Sequence, residues 1–335
     1  MQFNVLKRRE FITLLGGAAA SAAWPREGGA QQNERAKHVG LLMSYIDGDP
    51  QWQPIVAAFR QRLNELGWVD GRNLRLDVRW SNLETDRVRA QAKELVSLAP
   101  DVIVATNSLT LGPLAQATSA IPLVFVNVSD PVGLGFVDSL ARPSANITGF
   151  TNFEFSTGGK WLELLKDMAP RVTRVGVVFN PLTTSSSRFF LHSLEAAAPS
   201  FNVELVAPPS HGDSDVERLM ASLGPAGGVI VLPDAFTSGQ SEKIISLGNR
   251  QNLPAVYPFR FFVARGGLLS YGTDNIEMYR LGASYVDRIL KGAKPSSLPV
   301  QAPTKFEMVV NLRTAKDLGL ILSREFLFRA DEVIE

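Results

Sequence analysis

Apolar residues along this chain fall into two alternating kinds of stretch. Some are short, nearly solid runs rich in Val, Ile and Leu. Between them lie longer segments in which apolar residues recur every three to four positions. The first kind is how a strand buried on both faces of a parallel sheet reads, and the second is one face of an amphipathic helix. Solid runs occupy 38–43, 101–105 and 121–128, and 74–80 alternates like a strand. Helical spacing covers 51–66, closed by Gly67, and 85–98, and a third helix is expected from Asn107-Ser108 to about 118. Strands separated by helical stretches of 10–16 residues imply right-handed βαβ crossovers and a parallel sheet.

The pivotal stretch is 121–150, IPLVFVNVSDPVGLGFVDSLARPSANITGF. Its apolar run stops at Ser129-Asp130-Pro131, and Gly133 and Gly135 lead into a short helical pattern over 136–141. Where a parallel strand gives way to a helix, backbone N–H groups and short polar side chains gather, and open α/β sheets bind ligands at that carboxyl edge. After Thr148-Gly149-Phe150 the βα pattern begins afresh. The stretch therefore reads as the end of one lobe, half of a ligand site and the first crossing of a hinge.

The second set predicts helices over 157–168, 185–198, 213–223, 238–249 and 275–291, with strands over 174–179, 203–207, 228–232, 255–257 and 268–271. The tail reads as extended over 298–312, with a short helix over 314–318. Two α/β units of similar size follow one another, and 335 residues allow each its own core. No Gly/Ser- or Pro-rich tether separates them, which favours several short hinge segments. The fold class is therefore α/β, two Rossmann-like doubly wound parallel-sheet lobes joined by a multi-strand hinge.

Charge and composition narrow the partners. The net charge is +1, with residues 1–30 carrying +2 and the remainder −1, so the chain has no electrostatic footprint for nucleic acid. The absence of cysteine excludes disulfides, thiolate nucleophiles, thiolate metal sites and a lipid-bearing N-terminal cysteine. Residues 1–30 read as an export signal: Lys7-Arg8-Arg9, an apolar run over 11–23, then Gly28-Gly29-Ala30 with the cut after Ala30. The paired arginines and Phe11 resemble a twin-arginine signal, although Lys7 stands where Ser or Thr is usual and no lysine follows Ile12. An ordinary Sec signal is the alternative. The expected location is the periplasm, with no lipid anchor and no apolar run near the ~20 residues of a membrane span.

No catalytic constellation stands out. His38, His192 and His211 are far apart and lack partners at metal-ligand spacing. There is no G-x-S-x-G elbow, no Walker loop, and Gly133 and Gly135 lack the third glycine of a dinucleotide fingerprint. No catalytic residue, metal or cofactor is expected. The strand ends, by contrast, carry short polar side chains in both halves. Ser44 and Tyr45 follow the first strand, Asn107, Ser108 and Thr110 the third, and Asn127, Ser129 and Asp130 the fourth. In the second half Asn180, Ser185 and Ser186 end one strand, Asp234 with Thr237 another, and Tyr271 with Asp274 a later one. Any single one suits a helix N-cap; the set suits a polar cleft between two lobes. Asp130 and Asp234 would partner a ligand amine, and helix N-termini near Ser108 and Ser185 a carboxylate. Tyr45, Phe153, Tyr257 and Tyr271 are candidates for stacking on an aromatic ligand, or for simple packing.

From about residue 37 to its end the chain resembles the ABC transporter substrate-binding proteins related to tryptophan/tyrosine-type periplasmic binding proteins. The 121–150 stretch carries the resemblance, with KWLELLKDMAP at 160–170, RVGVVFNP at 174–181, the long segment GGLLSYGTDNIEMYRLGASYVDRILKGAKPSSLPVQAPTKFEMVVNLRTAKDLGL from Gly266, and the terminal ADEVIE. It implies a type I periplasmic-binding-protein fold, with the chain returning to the first lobe after Gly272 and its tail crossing again. The lobes would then be 37–147 plus 272–296 and 150–270 plus 300–335. It also implies a monomeric receptor that takes a small organic solute, an amino acid or aromatic acid, and delivers it to a membrane permease. No arginine stands at a strand end to clamp a carboxylate. Two alternatives remain at this stage, an exported hydrolase on a doubly wound fold and a ligand sensor for a membrane receptor.

Overall fold

In the computed structural model, residues 35–335 are described except 83, 144, 153, 155, 184 and 185, and the expected export signal lies outside them. Strand β1 (Lys37–Met43) is the first solid run, buried from His38 onward. It leads through helix α1 (Gln53–Glu65) to β2 (Leu74–Trp80), then through α2 (Thr85–Ser97) to β3 (Val102–Ala105). Helix α3 (Ser108–Ala117) precedes β4 (Leu123–Phe125), and β5 (Ile147–Gly149) completes a parallel sheet of order β2-β1-β3-β4-β5. Each solid run is central and covered on both faces, which is why it shows no alternation.

The second lobe runs α4 (Thr157–Met168), β6 (Arg174–Val178), α5 (Ser187–Ala197), β7 (Glu204–Val206), α6 (Asp213–Ser222) and β8 (Gly227–Val231). It continues with α7 (Ala235–Gly239), α8 (Ser241–Arg250), β9 (Ala255–Tyr257), α9 (Arg260–Ala264) and β10 (Leu269–Thr273). Helix α10 (Asn275–Leu290) packs on α1, β3 and β4 of the first lobe. The tail then returns as β11 (Phe306–Asn311), α11 (Leu312–Asp317), α12 (Arg324–Phe328) and β12 (Glu332–Ile334). The second sheet has the order β12-β11-β10-β9-β8-β6-β7.

Strand order reverses between β1 and β3 in one sheet and between β6 and β8 in the other. At such switch points successive crossovers leave on opposite faces and open a crevice beyond the strands' carboxyl ends. Three segments join the lobes. At the first, Phe150 bridges Gln301, whose carbonyl accepts the Thr151 N–H at 2.9 Å and whose own N–H donates to the Gly149 carbonyl at 3.1 Å. The second lies between Thr273, still paired with Phe306, and Asn275, the first residue of α10. The third is the extended approach to β11. Gly149 is indispensable here: its φ is +157°, and a Cβ would lie 2.1 Å from the Phe125 carbonyl oxygen.

Several local expectations change. The 121–128 run is not one strand: β4 ends at Phe125, and Asn127 turns into the left-handed region at φ 59° while Val126 and Val128 stay fully buried. Burial kept the sequence apolar after the backbone had left the ladder. The helical pattern over 136–141 is irregular, bent chain that follows turns at 131–135. Strands β5 and β12 are too short to register as periodic, and β11 runs antiparallel to β10 in an otherwise parallel sheet. The helix expected over 238–249 is α7 and α8 in succession.

Candidate functional site

Strand ends from both lobes converge on one crevice. From the first lobe it is lined by Tyr45 beyond β1, Asn107, Ser108 and Leu109 beyond β3, and Asn127 and Ser129 beyond β4. Asn152 of the first crossing segment joins them, with Thr183, Pro233, Asp234, Ser238 and Phe259 from the second lobe. The enclosed space is about 60 Å³, small beside the ~300–1,000 Å³ of a typical ligand pocket. It adjoins an outer chamber of about 430 Å³, and Tyr45 and Ser238 line both.

The first-lobe wall is built by a chain of short hydrogen bonds. Asn107 is the N-cap of α3: its Oδ1 accepts the Thr110 N–H at 3.2 Å, and Thr110 Oγ1 accepts the Asn107 N–H at 3.2 Å. The Asn107 amide Nδ2 donates to Ser44 Oγ at 2.6 Å. Tyr45 stacks on Trp52 at 3.4 Å, and burial pushes its hydroxyl up to about 12 against the lowering effect of bonds to Asn107 and Ser44. Ser44 and Thr110 are fully buried supports that hold Tyr45 and Asn107 in place and do not line the crevice.

Asp234 organises the second-lobe wall. Its Oδ1 accepts the Thr237 N–H at 2.8 Å and the Thr183 hydroxyl at 3.3 Å, and its Oδ2 accepts the Asn180 N–H at 3.0 Å. The carboxylate thus caps α7 and ties the end of β8 to the end of β6. Burial nonetheless dominates and pushes its pKa up to about 6. Across the crevice Asn127 tolerates its positive φ because a short amide side chain suits that region. Its Nδ2 donates to Asn275 Oδ1 at 3.0 Å.

Of the residues singled out by sequence, Tyr45, Asn107, Ser108, Asn127 and Asp234 meet at the crevice, with Ser129. The others stand elsewhere. Asp130 folds back on its own turn, its Oδ1 accepting the Gly133 N–H at 2.7 Å. Asn180 caps the turn after β6, its Oδ1 accepting the Leu182 N–H at 2.9 Å. Ser186 is buried at the N-cap position of α5, and Ser185 and Phe153 lie outside the described residues. Tyr271 sits in β10 and stacks on Phe306 at 5.6 Å. Asp274 caps α10 through the Glu277 N–H at 3.1 Å and pairs with Lys305 at 2.7 Å. Tyr257 is core, stacked on Phe262 at 4.9 Å.

Sequence reasoning missed Leu109, Asn152, Thr183, Pro233, Ser238 and Phe259. Thr183, Ser238 and Phe259 lie a few residues past strand ends and were within reach of the same rule. Asn152 carries no strand-end signal, because only the hinge crossing brings it there.

The outer chamber is walled by Tyr45, Ile46, Asp49 and Trp52 of the first lobe and by residues 238–243, Phe261 and Arg265 of the second. Two contacts bridge it. Arg265 Nη2 donates to Asp49 Oδ2 at 2.8 Å while its Nη1 donates to Ser241 Oγ at 2.8 Å, and Trp52 meets Phe261 with ring centroids 5.9 Å apart. The histidines are remote: His38 Nε2 lies 2.6 Å from Asp77 Oδ2 on neighbouring strands, and neither His192 nor His211 lines either chamber. Among the described residues no cluster of His, Asp and Glu is arranged to hold a metal ion, and no helix is long and apolar enough to cross a membrane.

Two doubly wound lobes, joined by crossing segments and facing one another across a polar crevice, define the type I periplasmic-binding-protein fold. Residues 42–334 match the family of ABC transporter substrate binding proteins, and the chain belongs to that family. It is 26% identical over 290 residues to the tyrosine-binding protein of Clostridioides difficile (strain R20291), a match covering 86% of this chain and 82% of that one. The crystal structure of a conserved domain protein from Vibrio cholerae superposes with a TM-score of 0.81 at 27% identity, covering 89% of this chain and 100% of that one. An ABC domain from Streptococcus pneumoniae in complex with L-Trp gives a TM-score of 0.79 at 24% identity, covering 89% and 99%.

Proposed function

We propose that this protein is the exported receptor of an ABC import system, which takes an amino acid or aromatic acid into the crevice between its lobes and delivers it to a membrane permease. One observation carries the reading: short polar side chains from the strand ends of both lobes line a single enclosed space. A site divided between two lobes couples binding to their relative position, because the solute touches both walls only when they are together. The crevice offers amides, hydroxyls, one carboxylate and aromatic rings, which is the equipment of recognition. Family membership and the tyrosine and L-Trp relatives support the solute class. Residues 1–30 supply the export step, with the twin-arginine route favoured by Arg8-Arg9 and Phe11. The receptor acts as a monomer in the periplasm.

A thermal-shift screen against amino acids, aromatic acids and other small carboxylates tests this. A solute at 100 times its dissociation constant adds about 2.7 kcal/mol to the native state. A clear stabiliser recovered chemically unchanged is the expected result. Turnover of a hit would replace the receptor by an enzyme.

A further inference from the structure

We propose that the crevice selects its solute by a protonated amine, which the side-chain oxygens of Asn127 and Asn152 receive beside the negative charge of Asp234. The inference rests on the receptor reading above and sharpens it, because it separates amino compounds from acids that lack nitrogen.

Unmatched acceptors are the starting point. Asn127 and Asn152 both line the crevice and are 7% and 4% exposed, and the side-chain oxygen of each is buried with no donor in reach among the described residues. A buried carbonyl left without a donor is unfavourable, so a site that keeps two of them at one cavity is incomplete until a donor arrives. For Asn127 the orientation is fixed from the other side, since its Nδ2 is committed to Asn275 Oδ1 at 3.0 Å. Asp234 adds a negative charge: its carboxylate oxygens are already bonded by the Thr237, Asn180 and Phe236 N–H groups and the Thr183 hydroxyl, so it acts on a cation chiefly through that charge.

The charge balance points the same way. No Arg, Lys or His is among the described residues lining the crevice, and Phe153, Phe155, Thr184 and Ser185, close in sequence to Asn152 and Thr183, carry no cation either. Among the described lining residues the negative charge of Asp234 therefore has no counter-ion. A primary ammonium supplies one positive charge and three N–H donors with no acceptor, which answers the two unmatched oxygens and the uncompensated charge. A carboxylate in the same place would pair with none of them and would meet like charge. A neutral hydroxyl would answer one acceptor only. The 60 Å³ space accommodates such a head group, and Tyr45, shared with the outer chamber, leads the remainder of the solute outward.

The test uses matched probe sets in titration calorimetry with the purified protein at neutral pH: tyrosine, tyramine and phloretic acid; leucine, isoamylamine and isocaproate; glucosamine and glucose. In any set that contains a binder, the amine-bearing members are expected to bind at least about 30-fold more tightly than the member without the amine. Asn152→Leu should shrink that ratio to within about threefold. It should also leave the melting temperature of the empty protein unchanged or higher, since it removes an unpaired buried oxygen. If amine-free members bind as tightly as their amino counterparts, this inference falls and the receptor reading stands. If no member of any set binds, the receptor reading fails and the inference with it. The wild-type comparison decides the matter even if the variant does not fold.

Discussion

Asp49→Asn is expected to loosen solute binding by weakening the hold of one lobe on the other. The carboxylate stands in the loop after β1 and its partner Arg265 stands between α9 and β10, so the 2.8 Å contact crosses the outer chamber. The two side chains are 16% and 29% exposed, between core and surface. A fully exposed pair contributes roughly 0–1 kcal/mol, and a sheltered hydrogen bond to a charged group roughly 1.5–3 kcal/mol. This pair should lie near the boundary, at about 1.5 kcal/mol. Arg265 is also held by Ser241 Oγ and lies over the Phe261 ring at 5.4 Å, so little rotamer freedom remains to be lost. Because the contact spans the lobes, its whole value bears on the equilibrium between parted and closed forms. Removing about 1.5 kcal/mol raises the apparent dissociation constant about tenfold. The change should appear in the dissociation rate, with association nearly unaffected. Stopped-flow tryptophan fluorescence with the solute found by the screen measures both rates, and a double-mutant cycle with Arg265→Gln isolates the pair. A coupling within about 0.3 kcal/mol of zero would refute the latch, as would a fall in melting temperature with affinity intact.

Four further outcomes are expected. Burial raises Asp234 to about 6 from an unfolded value near 3.8, so its contribution to the stability of the empty protein should be fullest below about pH 4 and decline by about 3 kcal/mol as pH rises through about 6; chemical denaturation of the wild type and of Asp234→Asn at several pH values should show this decline in the difference between them. If an amine binds beside that carboxylate it lowers its pKa, so affinity should rise with pH up to about 6 and level off above it; an affinity that falls over that range would contradict the placement. Gly149→Ala puts a Cβ 2.1 Å from the Phe125 carbonyl oxygen at φ +157°, which should cost about 2–4 kcal/mol in urea unfolding, and an unchanged midpoint would mean that β5 does not pack as described. Replacing both Arg8 and Arg9 by Lys should leave the protein in the cytoplasm on cell fractionation if the twin-arginine route is used; undiminished export would indicate the Sec route.

The sequence alone determined the two lobes and the approximate place of nearly every central strand. A strand covered on both faces must be apolar throughout and a covering helix must repeat its apolar residues each turn, and both are properties of neighbouring residues. The same local logic marked Tyr45, Asn107, Ser108, Asn127 and Asp234, since polar residues at the carboxyl ends of parallel strands sit at a sheet's binding edge. Tertiary structure decided what locality could not. Asp130 and Asp234 look alike in sequence, each a strand-end aspartate beside a proline. One closes its own turn on Gly133, and the other ties two strands of the far lobe and faces the crevice. Tyr271 and Asp274 share the strand-end signature, yet β10 lies toward β11 and the hinge, so they serve packing and capping. Asn152 has no signature and reaches the site only because the chain crosses between lobes there. Which strand ends face one another depends on strand order and on pairings between residues far apart in the chain. Those are set by the packing of whole elements, and a run of side chains that satisfies its own neighbours carries no record of them.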